Sequence, residues 1–455
     1  MDLWRAIHPD DVNIKNIHFV DHFQHRTICL MSEPGDSKDG VKPLRGIRVL
    51  DLSRVVSGPF CTMLLGDLGA EVIKIEEPTS GDDSRAFGPP FVAGESAYFL
   101  SVNRNKQSCC IDLKSAAGPE LILAMAREAD VLIDNFRPGT LDRLGLGDAA
   151  LRAANPRIVL CSITGFGDSG AGAQRPGYDL IVQGESGFMD ITGFPDGPPT
   201  KVGTSVADLV TGLYAVQGIL AALLDRGQDG PARRVDLAML DCLASLLTFN
   251  AGIYFTTGAS PQRRGNAHPT IYPYETFLTA DGWINVGIAN DKFWVLFCEA
   301  VGAEPLLSDP RYVTGPSRVE HRESLRPVIE PMLRARPRAH WMACLGAAGV
   351  PCGEIRSVGE VCESEQLVGR GMVVSMEHPV AGVVKNLYSP FRFDGTVRRD
   401  NSPPPMLGEH TEEVLRRLVG LGPARIAELA REGTVALLRE RASAAMSSVA
   451  AESTR

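Results

Sequence analysis

No uninterrupted apolar run in this 455-residue chain reaches the roughly 18–20 residues that a membrane-spanning helix needs. Positive charge is not in excess either. Lys and Arg number 46 against 55 Asp and Glu, a formal net charge of -9, so no broad field exists to hold nucleic acid, and only a local basic cleft stays open. The ten cysteines form no Cys-X-X-Cys pair and mostly sit in apolar segments. Reduced, buried thiols are therefore expected rather than a metal centre or disulfide framework. Histidine is missing from the interval between His25 and His268. No Gly-X-Ser-X-Gly elbow occurs, so a Ser–His or His–Asp pair cannot be built within that interval. General-base chemistry there must rest on carboxylates, lysines or tyrosine. What is abundant is glycine, at 46, with 31 prolines, which marks many turns and close backbone approaches. These features describe a soluble enzyme or binding protein.

Residues 1–42 differ in texture from the rest of the chain. Asp2, Asp10, Asp11 and Asp21 spoil a transit peptide, and there is no apolar signal core. His18, His22 and His25 share one helical face, but a poorly ordered leader accounts for the segment without a metal. From Gly46 the chain becomes periodic. Apolar strands are expected at Ile47–Leu52, Val72–Ile75, Ser108–Leu113, Val131–Asp134 and Ile158–Ile163. Helices fall between them: Phe60, Met63, Leu64 and Leu68 recur at helical spacing, and Pro119–Glu128 and Asp148–Ala154 come after. Alternating strands and helices imply an α/β fold, a Rossmann-like parallel sheet covered on both faces. Its ligands bind beyond the carboxyl ends of the strands.

A long helix with the stripe Leu209, Leu213, Val216, Leu220 and Leu223 comes next, with Gly212, Ala215 and Gly218 permitting close packing. A second is expected from about Leu237 to Phe255. The predicted organisation is a large domain over 43–235, a smaller α+β domain with linker helices over 236–350, a segment 351–420 completing the large domain, and a frayed helical tail over 421–455.

Gly165-Phe-Gly167-Asp-Ser-Gly170 spells a dinucleotide fingerprint after a strand. The next residues, up to Pro176-Gly177, cannot start the helix such a site needs, so nicotinamide or flavin binding is not expected. Asp179, in Gly177-Tyr-Asp179, opens an apolar helical stretch. It is either a plain helix-capping carboxylate or, kept ionised by amides and a helix dipole in a dry pocket, a nucleophile. Asn103-Arg104-Asn105-Lys106 and Asn135-Phe-Arg137-Pro-Gly139 are either polar loops or phosphate-binding loops at the expected crevice.

Taken in order, these segments resemble the family III CoA-transferases, over about Leu44 to Leu418. The resemblance rests on Pro43-Leu-Arg-Gly-Ile-Arg-Val-Leu-Asp-Leu, Ser57-Gly-Pro, Asp67-Leu-Gly-Ala-Glu-Val-Ile-Lys-Ile-Glu76, Asn105-Lys106, Asp134-Asn-Phe-Arg-Pro-Gly139, Gly177-Tyr-Asp179 and Leu407-Gly-Glu-His-Thr411. Ser101-Val-Asn-Arg-Asn-Lys106 and Gly88-Pro-Pro-Phe91 are similar to the succinate–glutarate, dicarboxylate branch. The resemblance implies that Asp179 is the catalytic aspartate, working through a mixed anhydride and an aspartyl-CoA thioester. It implies CoA contacts at Val55, Ser57, Lys106, Asn135, Phe136 and Arg143, and an interlocked homodimer. Acyl-CoA and carboxylic acid are then substrates, with no metal and no resident cofactor. A cytoplasmic location, without nucleic-acid or membrane partners, goes with this reading.

Two departures bear on the substrate. The glycine tract of oxalate-acting members is matched by Arg264-Gly-Asn-Ala-His-Pro-Thr-Ile271, with one glycine, which argues against oxalate. Arg104 stands where several relatives have an uncharged residue and is expected to hold the far carboxylate of a diacid. The rival activities are an α-methylacyl-CoA racemase or epimerase on the same fold, which tends to read Gly-His-Asp at the Gly-Tyr-Asp position, and a non-catalytic CoA-binding module. Removal of residues 1–30 should leave soluble, active protein; loss of either in the truncated chain would show that the segment belongs to the fold.

Overall fold

The structure is a computed structural model that describes residues 40–227, 230–396 and 400–438. Residues 1–39 of the expected leader, with Cys29 and His18, His22 and His25, lie outside the described residues, as does the tail beyond 438.

The first half alternates as its apolar runs require. Strand β1 (Arg48–Asp51) leads to helix α1 (Ser57–Asp67), and β2 (Glu71–Glu76) to β3 (Lys106–Ile111). Helix α2 (Gly118–Ala126), β4 (Val131–Asp134), α3 (Asp148–Ala154) and β5 (Val159–Thr164) come next. Then come the short α4 (Asp179–Glu185), the long α5 (Val206–Arg226) and β6 (Arg234–Ala238). The sheet runs β3-β2-β1-β4-β5-β6, and every pair is parallel. Strand order reverses between β1 and β4. In open parallel sheets the ligand crevice lies at that reversal, outside the carboxyl ends.

Both sheet faces are buried. One core packs Leu64, Leu65, Val216 and Ile219 of α1 and α5 against Val49, Val131 and Val159. The other packs Ile122 and Met125 of α2, with Leu151 of α3, against Leu50, Ile73 and Leu132.

The expected helix from Leu237 to Phe255 is corrected by the structure. Its first residues belong to β6, and the rest divides into α6 (Met239–Ala244), a 3-10 turn and α7 (Thr248–Thr257). The alternation Arg234-Val-Asp-Leu-Ala238 is short and was hidden by the apolar run after it. By length and composition alone, α5 and the Met239–Thr257 stretch could each cross a membrane. The first is a core helix against the sheet; the second leaves Phe249, Tyr254 and Phe255 exposed.

A separate core comes after these helices. Antiparallel strands β7 (Tyr274–Leu278), β8 (Trp283–Gly287) and β9 (Cys352–Glu354) form a three-stranded sheet. Helices α8 (Asp291–Val301), α9 (Arg322–Arg334) and α10 (Arg338–Ala347) cover it through Trp294, Phe297, Leu325, Ile329 and Trp341. The chain then forms the hairpin β10 (Val373–His378) and β11 (Gly382–Leu387).

It finally returns to the large sheet, and here the expected frayed tail is corrected over its described part, to residue 438. Helix α11 (Pro423–Arg431) buries Ile426 and Leu429, and β12 (Val435–Ala436) pairs antiparallel with β3 at the sheet edge. Two apolar residues three apart and one buried Val435 suffice to anchor a segment otherwise rich in Ala, Glu and Arg.

Helices α1 and α5 touch through Gly212. A Cβ there would lie 2.8 Å from the Ser57 carbonyl oxygen and 3.0 Å from the Phe60 ring. Gly212→Ala is expected to force the helices apart at a cost of about 1–3 kcal/mol, read as a lowered midpoint in thermal or urea unfolding.

Candidate functional site

The loop leaving β1 is held from below by charges. Asp51 is fully buried, and its carboxylate accepts from the Ser53 amide at 3.0 Å, the Thr62 hydroxyl at 2.6 Å and Lys106 Nζ at 3.2 Å. Lys74 Nζ pairs with Asp82 at 2.7 Å and donates to the Ser53 carbonyl at 2.9 Å. Asp82 in turn accepts the Val55 amide with both oxygens, at 3.0 and 3.2 Å. Val55 has φ 69°, a left-handed conformation that a β-branched residue adopts only when its surroundings impose it. Burial opposes ionisation of Asp82, but the Lys74 ammonium and the Ser84 amide prevail and hold the carboxyl well below its ordinary range.

Above this base lies a cleft of about 320 Å³ at the reversal of strand order. One wall is the β1–α1 loop, Arg54 to Ser57; the second is Asn135 to Pro138, leaving β4. Asn135 joins the two, accepting from the Arg54 amide at 2.9 Å and donating to the Arg54 carbonyl at 2.8 Å. The Arg54 guanidinium sits 5.4 Å from the Phe136 ring centroid. The third wall is Thr164, Gly165 and Arg175 to Tyr178, with Asp208 and Met239 behind.

Gly165 and Gly177 meet backbone to backbone. A Cβ on either would lie 2.6 Å from the Cα of the other, so no larger residue fits at that crossing. The end of β5 is thereby fixed against the segment that carries Asp179. The glycine run 165–170 thus serves contact between loops; the next helix begins only at Asp179.

Asp179 is the first residue of α4 and partly exposed. Its Oδ2 accepts from Gln183 Nε2 at 2.7 Å, one turn along the same helix. Its Oδ1 accepts the Ala207 amide at 2.9 Å, in the first turn of α5. The carboxylate therefore meets the amide end of a 21-residue helix other than its own. Gln183 is buried and fixed in turn, accepting the Val202 amide on Oε1 at 2.8 Å.

The residues that the sequence pointed to divide into two groups. Val55, Ser57, Asn135 and Phe136 are brought together in the cleft walls, beside the segment bearing Asp179. Arg143 is exposed at the end of the short helix Thr140–Arg143, donating to the Thr140 hydroxyl at 2.8 Å, and stands off this lining. Lys106 and Arg104 are corrections. All three Lys106 ammonium protons are taken by Asp51, the Pro59 carbonyl and Asn103 Oδ1, beneath the loop, leaving none for a phosphate. Burial pulls that ammonium down to about 8. Arg104 is 1% exposed. It forms a two-pronged pair with Asp67, donates to the Leu387 carbonyl at 3.0 Å and lies over the Tyr388 ring. It fastens the β10–β11 hairpin to the end of α1 and cannot also grip a substrate carboxylate. Sequence reasoning missed Arg54 and Asp208; both lacked a distinguishing signal, Asp208 looking like an ordinary acid in a first helical turn.

A larger cavity, about 1070 Å³, lies over the second core between Arg263, Arg322 and Trp283. The motif-bearing loops converge on the smaller cleft.

Comparison with known proteins decides the family. The profile of CoA-transferase family III matches residues 44–411. The chain belongs to CoA-transferase family III. It is 42% identical over 383 residues to a succinate–glutarate CoA-transferase of Agrobacterium fabrum, covering 83% of this chain and 96% of that protein. It is 41% identical over 333 residues to an acetyl-CoA:oxalate CoA-transferase of Acetobacter aceti, covering 73% and 85%. Among solved structures, a CAIB/BAIF family protein from Brucella suis superposes with TM-score 0.76 at 39% identity, covering 83% of this chain and all of that one. This family III enzyme is thus a CoA-transferase with a parallel-sheet domain of the kind its periodicity implied.

Arg104→Met should destabilise the enzyme by roughly 3–5 kcal/mol, because Asp67 loses its buried cationic partner. Residual activity should fall alike for dicarboxylate and monocarboxylate acceptors, measured as kcat/KM ratios on the two classes.

Proposed function

We propose that this enzyme moves CoA from an acyl-CoA donor, succinyl-CoA, to a free dicarboxylic acid such as glutarate, with Asp179 as the nucleophile. The observation that carries the reading is the Asp179 carboxylate, held by Ala207 and Gln183 beside a cleft at the strand-order reversal. An Asp179 oxygen attacks the thioester carbonyl, the C–S bond breaks, and a mixed anhydride and the CoA thiolate result. The thiolate then attacks the Asp179 carbonyl, releasing the donor acid and leaving an aspartyl-CoA thioester. The acceptor carboxylate repeats both steps in reverse order, restoring Asp179.

The remaining groups fit these demands. Arg54, Arg137 and Arg175 line the cleft and supply positive charge for the phosphates of CoA. Val55, Ser57, Asn135 and Phe136 form the walls along which its tail runs. No resident cofactor or metal enters any step. Water would destroy the anhydride, and Tyr178, 73% exposed, needs a cover. A second copy of the chain is the proposed cover, interlocked with the first, and Phe249, Tyr254 and Phe255 are apolar surface for it to bury. The single glycine in 264–271 favours glutarate-type acids over oxalate. None of the nine described cysteines enters a disulfide, which suits the reducing cytoplasm. A racemase would need an imidazole beside Asp179, and the cleft lining contains none among the described residues.

The test is a panel of succinyl-CoA with glutarate, malate, citramalate, itaconate and oxalate, with intact-mass detection of a CoA adduct on Asp179. Transfer to a dicarboxylate with an adduct is expected, and Asp179→Asn should lower kcat by roughly 10³-fold or more. α-Proton exchange without any acceptor acid would instead favour the racemase, and CoA binding without transfer a binding module.

A further inference from the structure

The cleft lining includes a carboxyl group close to Asp179 that the steps above do not use. Asp208 lies in the first turn of α5, one residue after the amide that binds Asp179. It lines the cleft together with Ser57, at the start of α1, and faces the Asp179 charge. Ser57 belongs to the wall assigned to CoA, and Asp179 is the nucleophile. Asp208 therefore borders both the wall and the nucleophile.

We propose that Asp208 is the proton carrier of the reaction: an uncharged carboxyl that gives its proton to the CoA sulfur as the thioester opens and takes it back when the thiol returns. This rests on the reading of Asp179 as nucleophile. In the first step the Asp179 oxygen bonds to the carbonyl carbon, and the C–S electron pair goes to sulfur. The Asp208 proton joins it there, leaving a mixed anhydride, a CoA thiol and an Asp208 carboxylate that accepts from Ser57. In the second, the Asp208 carboxylate removes the thiol proton as sulfur bonds to the Asp179 carbonyl carbon, and the donor acid leaves as its carboxylate. The proton returns to its origin, and the cycle needs no outside acid.

Electrostatics supports the geometry. Burial first, and the Asp179 charge second, raise the Asp208 carboxyl to about 7, while the Ser57 hydrogen bond restrains the rise. The other charged groups on the cleft are Arg54, Asp83, Arg137 and Arg175. The two carboxyls differ in surroundings: Asp179 has N–H donors on both oxygens, and Asp208 has a hydroxyl and a like charge. Such divided pairs are how a site assigns nucleophile and acid.

The proposal is tested by pH profiles of succinyl-CoA:glutarate transfer for wild type, Asp208→Asn and Asp208→Glu. Deprotonation removes the donor, so wild-type kcat/KM should fall as pH rises through about 7. Asp208→Asn should lose that limb and roughly 10²-fold in rate, whereas Asp208→Glu should keep a displaced limb. With a phenylthio ester of succinate, whose thiolate leaves unaided, the deficit of Asp208→Asn should shrink about tenfold or more. An unchanged limb in Asp208→Asn, or a deficit independent of the leaving thiol, would overturn the proposal. The failure of the underlying reading has a different signature, the absence of a CoA adduct on Asp179 in the wild-type enzyme.

Discussion

The buried pair between Lys74 and Asp82 sets the form of everything above it. Lys74 comes from β2, in the middle of a parallel sheet, and reaches under the β1–α1 loop to hold the Ser53 carbonyl. Asp82 accepts the Val55 amide from the other side. Between them they impose a left-handed valine that the loop would not adopt by itself. That turn starts α1 where Ser57 can meet Asp208, and it presents Arg54 to Asn135 and Phe136. Asp51 with Lys106, and Glu76 with Arg85, extend the same charged layer beneath the sheet's carboxyl edge. Buried pairs of this kind contribute little net stability against apolar packing. Here their effect is positional: they remove the loop's freedom before any substrate arrives.

The division between what the sequence disclosed and what it hid tracks the range of the interactions involved. Strands such as Val131–Asp134 and helices such as Asp148–Ala154 are written locally, in periodicity and flanking turns, and the structure has them at those residues. The helix start at Asp179 was readable because a Gly-Tyr turn precedes an apolar stretch there. The role of Lys106 was not readable. A lysine ahead of a strand looks like an exposed cation, and only the fold brings Asp51, 55 residues away, onto its ammonium. Arg104 is the same case, with Asp67 37 residues back. Strand β6 hid inside an apolar stretch, and β12 inside a charged one, because pairing with β5 and β3 decides them rather than their own composition.

Asp179 also illustrates how one position supports a plain reading and a chemical one together. It does satisfy a helix N-terminus, as a capping carboxylate should, but the helix is α5 and not the one it opens. That choice ties two helices at a single carboxylate and places Asp208 at its side. Gly165 and Gly177 complete the arrangement by letting β5's exit loop lie directly on the approach to α4. Asp179 is thus referenced to the sheet by one backbone crossing and to α5 by one hydrogen bond.

The edge strand β12 has a bearing on how the chain comes to be folded at all. Strand β3 lies at the border of the parallel array, and its outer side is bonded by late parts of the chain: His410 and Thr411 meet Ser108 and Cys110, and Val435 and Ala436 pair with Ile111 and Cys110. During synthesis that side stays open from the time β3 first docks until the last elements emerge. An unpaired, apolar strand edge recruits whatever strand it meets. The order of elements along the chain therefore leaves the border of the nascent sheet exposed until residues 408–436 arrive to close it.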